Sequence, residues 1–335
     1  MNVVHVSTTD PAGSIINFVK ALNAHTDVRA RAITTVPNQY GFEKDICDIF
    51  DGGDEIEALL KQADVIHLHK VKEDFAIEMA MPKSGVTRTF KIEDFLKADS
   101  NKKVVYHIHG HPYERDSFKE NGEAYKARGA KVLCSTPDLQ ELYNPVYDRV
   151  QFFPNCVPIN DVRYLPRATD ELLTMANGDR KLCVAQAPTH AILKNVQMME
   201  AVMRRVVPDC NAFYLKIQAV VHDMALRHKR NAHVVFDHIE GYYGLSSLEA
   251  LSMGKPTIAN LSPYARTAID IFFGKDHDLP WVQAANEEEL EKQIRALLSD
   301  EGMRRTIGEK SRKFMEEVWS DRAIGQRLAA FYQSL

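Results

Sequence analysis

The sequence predicts an α/β protein made of two open parallel-sheet domains that face a central cleft. Three observations carry this expectation. Strand-like apolar runs alternate with segments of helical spacing, and strands joined through helices form a parallel sheet covered on both faces. The alternation pauses in a proline-containing segment that runs from Phe153-Pro154-Asn155 to Pro166, then starts again. Finally, 335 residues exceed the roughly 250–300 at which a single hydrophobic core stops growing. The expected domains are residues 1–160 and 161–319, with a last helix over 320–335 packing back on the first domain.

The elements follow in order. Val3 to Ser7 is apolar, Asp10-Pro11-Ala12-Gly13-Ser14 is turn chemistry, and Ile15, Phe18, Val19 and Leu22 recur at helical spacing, so the chain opens with a βα unit. Ala30 to Thr34, Asp64 to Leu68, Lys103 to Ile108 and Lys131 to Cys134 read as further strands. After the break, Leu182 to Ala185, Phe213 to Ala219, Val234 to Phe236 and Thr257 to Ala259 are strands, and Val196, Met199, Met203 and Val206 mark one face of a helix. Asn286 with Glu289 three residues on predicts a capping box, and Ser320 is placed to cap a last helix bearing Ile324, Leu328 and Phe331. The repetition is architectural, two α/β halves in tandem.

Composition narrows the function. Hydrophobic residues make up 45% and charged residues 26%, the values of an ordinary globular protein, and a net charge of −4 provides no basic field for non-specific nucleic-acid binding. The five cysteines are scattered without a C-x-x-C pair, which points away from zinc knuckles and disulfide frameworks and toward a reduced, cytoplasmic compartment. No apolar run reaches the roughly 18–20 residues of a membrane-spanning helix, and the first residues enter a strand without a signal-peptide pattern, leaving only peripheral membrane contact.

Open parallel sheets bind ligands beyond the carboxyl ends of their strands, and the motifs sit there. Ser246-Ser247-Leu248-Glu249 fits the capping box S-x-x-E, with Gly254 as the helix's C-terminal cap. Gly241 and Gly244 bracket the approach, leaving little bulk beside the free amides of a helix N-terminus, a ready anion site. In Tyr106-His107-Ile108-His109-Gly110-His111-Pro112, alternation puts the histidines on one face, and His67-Leu68-His69 ends another strand in the same way. Either a metal site or packed strand-end histidines would account for them. Against metal, no aspartate of an H-x-H-x-D-H hydrolase follows, and Gly110 and Pro112 end the strand before His111. Lys194 lies in a strand-to-helix loop, where a lone lysine is ordinarily solvated.

Gly244-Leu245-Ser246-Ser247-Leu248-Glu249-Ala250, followed by Met253-Gly254-Lys255-Pro256, resembles the E-x7-E segment of GT-B glycosyltransferases of family GT4. The resemblance implies two Rossmann-like domains, the first on the acceptor side and the second on the donor side. It also implies transfer of a sugar from a nucleotide-diphosphate sugar, with retention of configuration and no catalytic metal or other cofactor. The helix tip at Gly244, Leu245, Ser246 and Ser247 would receive the diphosphate, and Glu249 the ribose hydroxyls. Glu240 is the nearest counterpart of the first glutamate, which contacts the sugar, although one extra residue separates it from Glu249 and Asp237 is a less close substitute.

The match extends along the chain. His109-Gly110 fits the family's fourth strand end, where the histidine meets the donor sugar, and Asp10 to Ser14, with Gly13, stands at its glycine-rich first loop. Lys194 matches the loop lysine that clasps the diphosphate, Asn195 replaces a glycine, and no arginine occurs in the loop, leaving Thr189 or His190 as substitutes. Residues implied in catalysis are thus His109, Lys194 and Glu240. The acceptor is an unidentified hydroxyl compound: glycan, lipid-linked, small molecule or modified nucleic acid. The segment from Lys70 to Asp99, including Met79, Met81, Arg88 and Phe90, is its candidate lip. Two rival readings are a nucleotide-sugar-binding partner without turnover and a histidine-metal hydrolase.

Overall fold

In the computed structural model the chain forms two compact units, Met1–Cys156 with Asp321–Leu335, and Val157–Ser320. The structure describes every residue except 11, 48–52, 73–74, 82–85, 111, 168–170, 190 and 275–276, and the side chains of 47, 53–54, 78–81, 86–88, 90 and 112. His111 and the side chains of Met79, Met81, Arg88 and Phe90 therefore lie outside the described residues. Among the described residues, no helix is long and apolar enough to cross a membrane.

The first unit runs β1 (Asn2–Ser7), α1 (Ser14–His25), β2 (Arg29–Thr34), β3 (Ile46–Cys47), α2 (Gly53–Gln62), β4 (Val65–His69), β5 (Ala76–Met81), β6 (Val86–Lys91), α3 (Ile92–Ala98), β7 (Lys103–Ile108), α4 (Pro112–Asp116), α5 (Phe118–Arg128), β8 (Lys131–Cys134), α6 (Pro137–Tyr143) and β9 (Val150–Phe152). Its seven-stranded sheet has the order β3-β2-β1-β4-β7-β8-β9, with all pairings parallel, and β5 and β6 form a separate antiparallel hairpin. Chain order reverses between β1 and β4, where a doubly wound sheet opens its crevice.

On α1 the face made by Ile15, Phe18, Val19 and Leu22 is buried, each large apolar side chain contributing about 1.5–3 kcal/mol. The last helix, α13 (Asp321–Gln333), belongs to this unit. A Cβ on Gly325 would lie 2.9 Å from the carbonyl of Ala21, so α13 and α1 meet backbone to backbone.

The second unit runs β10 (Leu173–Thr174), β11 (Arg180–Gln186), α7 (Val196–Val206), β12 (Ala212–Lys216), α8 (His222–Asn231), β13 (Val234–Phe236), α9 (Leu245–Ser252), β14 (Thr257–Ala259), α10 (Pro263–Phe273), β15 (Val282–Gln283), α11 (Glu287–Ser299) and α12 (Glu301–Glu317). The parallel order is β12-β11-β13-β14-β15, with β10 antiparallel to the start of β11. The reversal here falls between β11 and β13. β12 ends at Lys216, short of the predicted Ala219, which has φ +53° and cannot continue a strand.

Two helix ends show how local chemistry is realised. At Asn286 the side chain accepts from the Glu289 amide at 2.9 Å, while the Glu289 carboxylate reaches the Ala285 amide at 2.8 Å, one residue before the cap. At the end of α9, Gly254 takes φ +65° and its amide bonds the Leu251 carbonyl while that of Lys255 bonds Ala250. This is a Schellman motif. A Cβ on Gly308 of α12 would stand 2.4 Å from the Gly254 carbonyl, so that motif is also where α12 packs.

Candidate active site

The carboxyl ends of β11 and β13 place Gln186 and Asp237 side by side at the reversal point of the second sheet. Gln186 is buried, and its amide nitrogen donates to the carbonyls of Lys194 at 2.5 Å and Asp237 at 3.3 Å, while the Tyr214 hydroxyl donates to its oxygen at 2.7 Å. Asn195, the N-cap of α7, adopts φ +51°. Asparagine enters that left-handed region more readily than most residues, which explains how it stands where the resembled motif has glycine. Its side chain accepts from the Ile239 amide at 2.9 Å and donates to Glu240 at 2.6 Å. Two buried or half-buried amides thereby tie the two strand-end loops together.

Within that frame the Lys194 ammonium lies 2.6 Å from Asp237 Oδ1. Asp237 Oδ2 accepts from the Gly244 amide and the Ser247 hydroxyl, each at 2.6 Å. Burial works against the Asp237 carboxylate, but the charge of Lys194, then that of His238, and the bonds from Lys194 and Ser247 hold it well below the usual carboxylate range. A fixed anion therefore sits at the tip of α9, paired with a lysine whose side chain keeps 14% of its surface exposed.

Helix α9 begins earlier than its sequence suggests. Gly244 is the N-cap and has no side chain to cap with, so Ser246 is the second helical residue and Glu249 the fifth. The expected S-x-x-E box does not form, because Asp237 caps the helix from the neighbouring strand end. Ser246 Oγ is buried without a partner, on the same helix turn. Gly244 is needed for space: with φ −100° its backbone is open to any residue, yet a Cβ would stand 2.5 Å from the Lys194 ammonium and 3.1 Å from both Asp237 oxygens. Gly241, by contrast, has φ +88°.

Glu249 is bonded to the neighbouring helix α8. One of its oxygens lies 2.7 Å from His222 Nε2 and the other accepts from Lys229, both on α8, and only 3% of the residue is exposed. Burial opposes its charge, but Lys229 and then His222 overcome that and hold its pKa at about 2. Thr189 and Glu240 are exposed, the latter bonded to Asn195, and His190 lies outside the described residues. Sequence reasoning named neither Gln186 nor the Lys229 and His222 partners of Glu249. A polar residue ending an otherwise buried strand was the available signal for Gln186.

In the first unit, Gly13 is the N-cap of α1 with φ +70°, and a Cβ there would stand 2.5 Å from the Phe42 ring. Asp10 receives the amides of Ile15 at 3.0 Å and Ile16 at 3.1 Å, capping α1 as Asp237 caps α9. Burial pushes its carboxyl up to about 6 against the pull of those amides and of Lys70.

Register sets His5 beside His67 and His69 beside His107, and alternation adds His109 to the same face. His109 Nε2 lies 2.8 Å from His69 Nδ1, and its backbone amide donates to the buried Glu114 of α4. Burial holds His5 and His107 down at about 3 and the other three well below the usual range, so all five are neutral at pH 7. The triplets His5, His67, His69 and His69, His107, His109 each bring three nitrogens within 4.8 Å of one another, a spacing a metal ion could bridge. Each triplet is partly committed to hydrogen bonds of its own.

No protein-family model and no curated protein sequence matches the chain. Solved structures do match, over its whole length. A sucrose-phosphate synthase from Thermosynechococcus elongatus aligns over 100% of this chain and 98% of its own, with a TM-score of 0.62 at 14% identity. An alpha-glucosyltransferase, solved with UDP and a 13-mer DNA containing an HMU base, aligns over 99% of both chains, with a TM-score of 0.66 at 10% identity. Anabaena HepE, solved with UDP-glucose, aligns over 100% of both, with a TM-score of 0.63 at 12% identity. At such identities the likeness is one of fold, and the chain has the fold of the GT-B glycosyltransferases.

Proposed function

We propose that the chain is a glycosyltransferase, moving a sugar from a nucleotide-diphosphate sugar to a hydroxyl acceptor. One observation carries this reading: a partly open lysine, Lys194, stands against the tip of α9 at the reversal point of a parallel sheet. A departing diphosphate needs positive charge fixed in advance at the leaving oxygen. A helix N-terminus supplies only about 0.3–1 kcal/mol when exposed and up to about 2 when partly buried, while a charged hydrogen bond adds about 1.5–3 kcal/mol. The helix alone is too weak, and Lys194 makes up the difference. Asp237 takes one of the three ammonium donors and so aims the other two.

In this reading the unit Val157–Ser320 binds the donor, with the amides of Leu245 and Ser246 and the Lys194 ammonium on the diphosphate, and Thr189 in the same loop as Lys194. Glu249, with its partner His222, serves the ribose side, and Glu240 the sugar. The first unit binds the acceptor, with Gly13 at its first loop and His109 toward the transferred sugar. Attack on the front face with retained configuration belongs to the same reading, as do a GT4-like subtype, action without a divalent ion and a cytoplasmic setting. UDP or UDP-glucose in several solved structures of this fold favours a UDP-sugar donor.

A rival reading, nucleotide-sugar binding without turnover, draws on the loop between β11 and α7, whose sequence lacks arginine and whose lysine is already paired. Incubating purified protein with UDP-glucose separates the two. Release of UDP, undiminished by chelator and abolished in Lys194→Ala, is the expected result. Saturable binding with no UDP release across a panel of hydroxyl acceptors would leave the rival standing.

A further inference from the structure

Five histidines occupy a sheet face where aliphatic side chains ordinarily pack. Three of them form one line with Tyr332 of α13. His109 Nε2 meets His69 Nδ1 at 2.8 Å, His69 Nε2 meets His5 Nδ1 at 2.9 Å, and His5 Nε2 meets the Tyr332 hydroxyl at 3.4 Å. That hydroxyl also lies 2.5 Å from His67 Nδ1. The edge-to-edge geometry fits in-plane bonding, since ring centroids are 5.1 Å apart in both histidine pairs of the line, with interplanar angles of 21° and 28°.

A neutral imidazole has one N–H and one lone pair, so a ring that donates on one side accepts on the other. The line consequently has two arrangements in which the Tyr332 hydroxyl both donates and accepts; were it to accept from both His67 and His5, its own O–H would be buried with no acceptor among the described residues. In one, His67 Nδ1 donates to Tyr332, Tyr332 to His5, His5 to His69 and His69 to His109, which leaves the proton of His109 on Nδ1. In the other every bond is reversed, and His109 carries its proton on Nε2.

The end of the line distinguishes them. His67 Nε2 is buried with no hydrogen-bond partner. The reversed arrangement puts a proton there, burying an N–H without an acceptor, whereas the first leaves only an unfilled lone pair, which protein interiors tolerate more readily.

We propose that Tyr332, acting through His5 and His69, fixes His109 as the Nδ1–H tautomer, so that this histidine meets a ligand as a hydrogen-bond donor and not as a base. Tyr332 is then a positioning residue supplied by the last helix. The tautomer assignment stands on the geometry of the first unit alone; its consequence for transfer rests on the reading that His109 faces the sugar. A metal ion held by either histidine triplet would have to replace bonds of this line.

Histidine-selective nitrogen-15 NMR of the full chain tests it, on wild type, Tyr332→Phe and His5→Phe, with thermal unfolding and bound-metal analysis alongside. Wild type should show His109 protonated at Nδ1. In both variants, which break the line at different points, the His109 nitrogens should shift toward a mixture of tautomers, while Tyr332→Phe lowers the turnover of UDP-glucose on the order of tenfold with KM unchanged. An Nε2–H tautomer in wild type, identical His109 signals in all three proteins, or a stoichiometric metal ion in the cluster would each overturn the proposal. The predicted NMR shifts with no sugar transfer by any of the three proteins would uphold the tautomer line and overturn the assignment of His109 to a sugar.

Discussion

Helices α1 and α9 both begin just past a strand of a parallel sheet, and both are capped by a buried aspartate from outside the helix. Asp10 receives two amides of α1, and Asp237 one amide and one hydroxyl at the start of α9. Their charge states nevertheless diverge. At Asp10, which makes no ion pair among the described residues, burial dominates the pull of Lys70 and the α1 amides and lifts the pKa to about 6. At Asp237 burial again raises the pKa, but the Lys194 ammonium 2.6 Å away, with His238 and the Ser247 hydroxyl, outweighs it. Geometry alone therefore does not make a helix tip a charged site. A cation in direct contact does, as Lys194 is at α9, whereas at α1 the charge of Lys70 acts without a contact ion pair among the described residues.

Removing that cation should have the largest effect. Lys194→Met leaves a buried carboxylate unpaired, which costs about 3–5 kcal/mol of stability, and it should lower UDP-glucose turnover by roughly a hundredfold or more. Denaturant unfolding and a UDP-release assay read the two effects. The double variant Lys194→Met with Asp237→Asn should recover most of the stability and none of the turnover, which would separate the ion pair's structural role from its chemical one.

Next comes the second buried pair. The folded-state pKa of Glu249 lies below its ordinary 4.5, at about 2. It therefore contributes stability that is present above pH 4.5 and lost as pH falls toward 2. Glu249→Gln should cost about 3 kcal/mol at pH 7 and flatten the acid limb of the stability profile measured by chemical unfolding.

Asp10 carries the opposite sign. Its folded pKa is raised from 3.8 to about 6, so the unfolded chain gives up the proton first and stability falls as pH climbs through that window. Asp10→Asn keeps an acceptor for the α1 amides and should gain about 2–3 kcal/mol above pH 6. Little change is expected below pH 4.

The smallest effect is expected at Gly244. Its Cβ would collide with the far end of a flexible lysine, so Gly244→Ala should fold with a loss of about 1 kcal/mol. Weaker UDP binding by calorimetry is the sharper readout, because the displaced group is Lys194.

Much of the fold was legible because period and punctuation are local properties. The buried face of α1 shows in Ile15, Phe18, Val19 and Leu22, and the paired sheets show in the alternation on either side of the Pro154 to Pro166 segment. The start of α9 was misplaced for a physical reason. Ser246 and Glu249 satisfy a local capping rule, but a carboxylate brought by tertiary structure occupies the helix tip two residues earlier.

Of the residues gathered around that tip, Lys194, Gly244 and Ser247 were named from the sequence. Asp237 was read only as a substitute sugar contact, because spacing says nothing about which side chain it faces. Lys229 was invisible: a lysine in the last turn of a charged helix reads as solvent-facing, and only packing shows it buried against Glu249. The histidine line is similar. Alternation pairs His67 with His69 and His107 with His109, but the register that brings His5 alongside, and the helix that brings Tyr332, are non-local.

A crystal structure of the chain with UDP tests the central claim most directly. Diphosphate oxygens are expected within hydrogen-bond distance of Lys194 Nζ and the backbone amides of Leu245 and Ser246, with Asp237 still holding the lysine. UDP seated away from the tip of α9, or a Lys194 that keeps to Asp237 and leaves the diphosphate untouched, would contradict it.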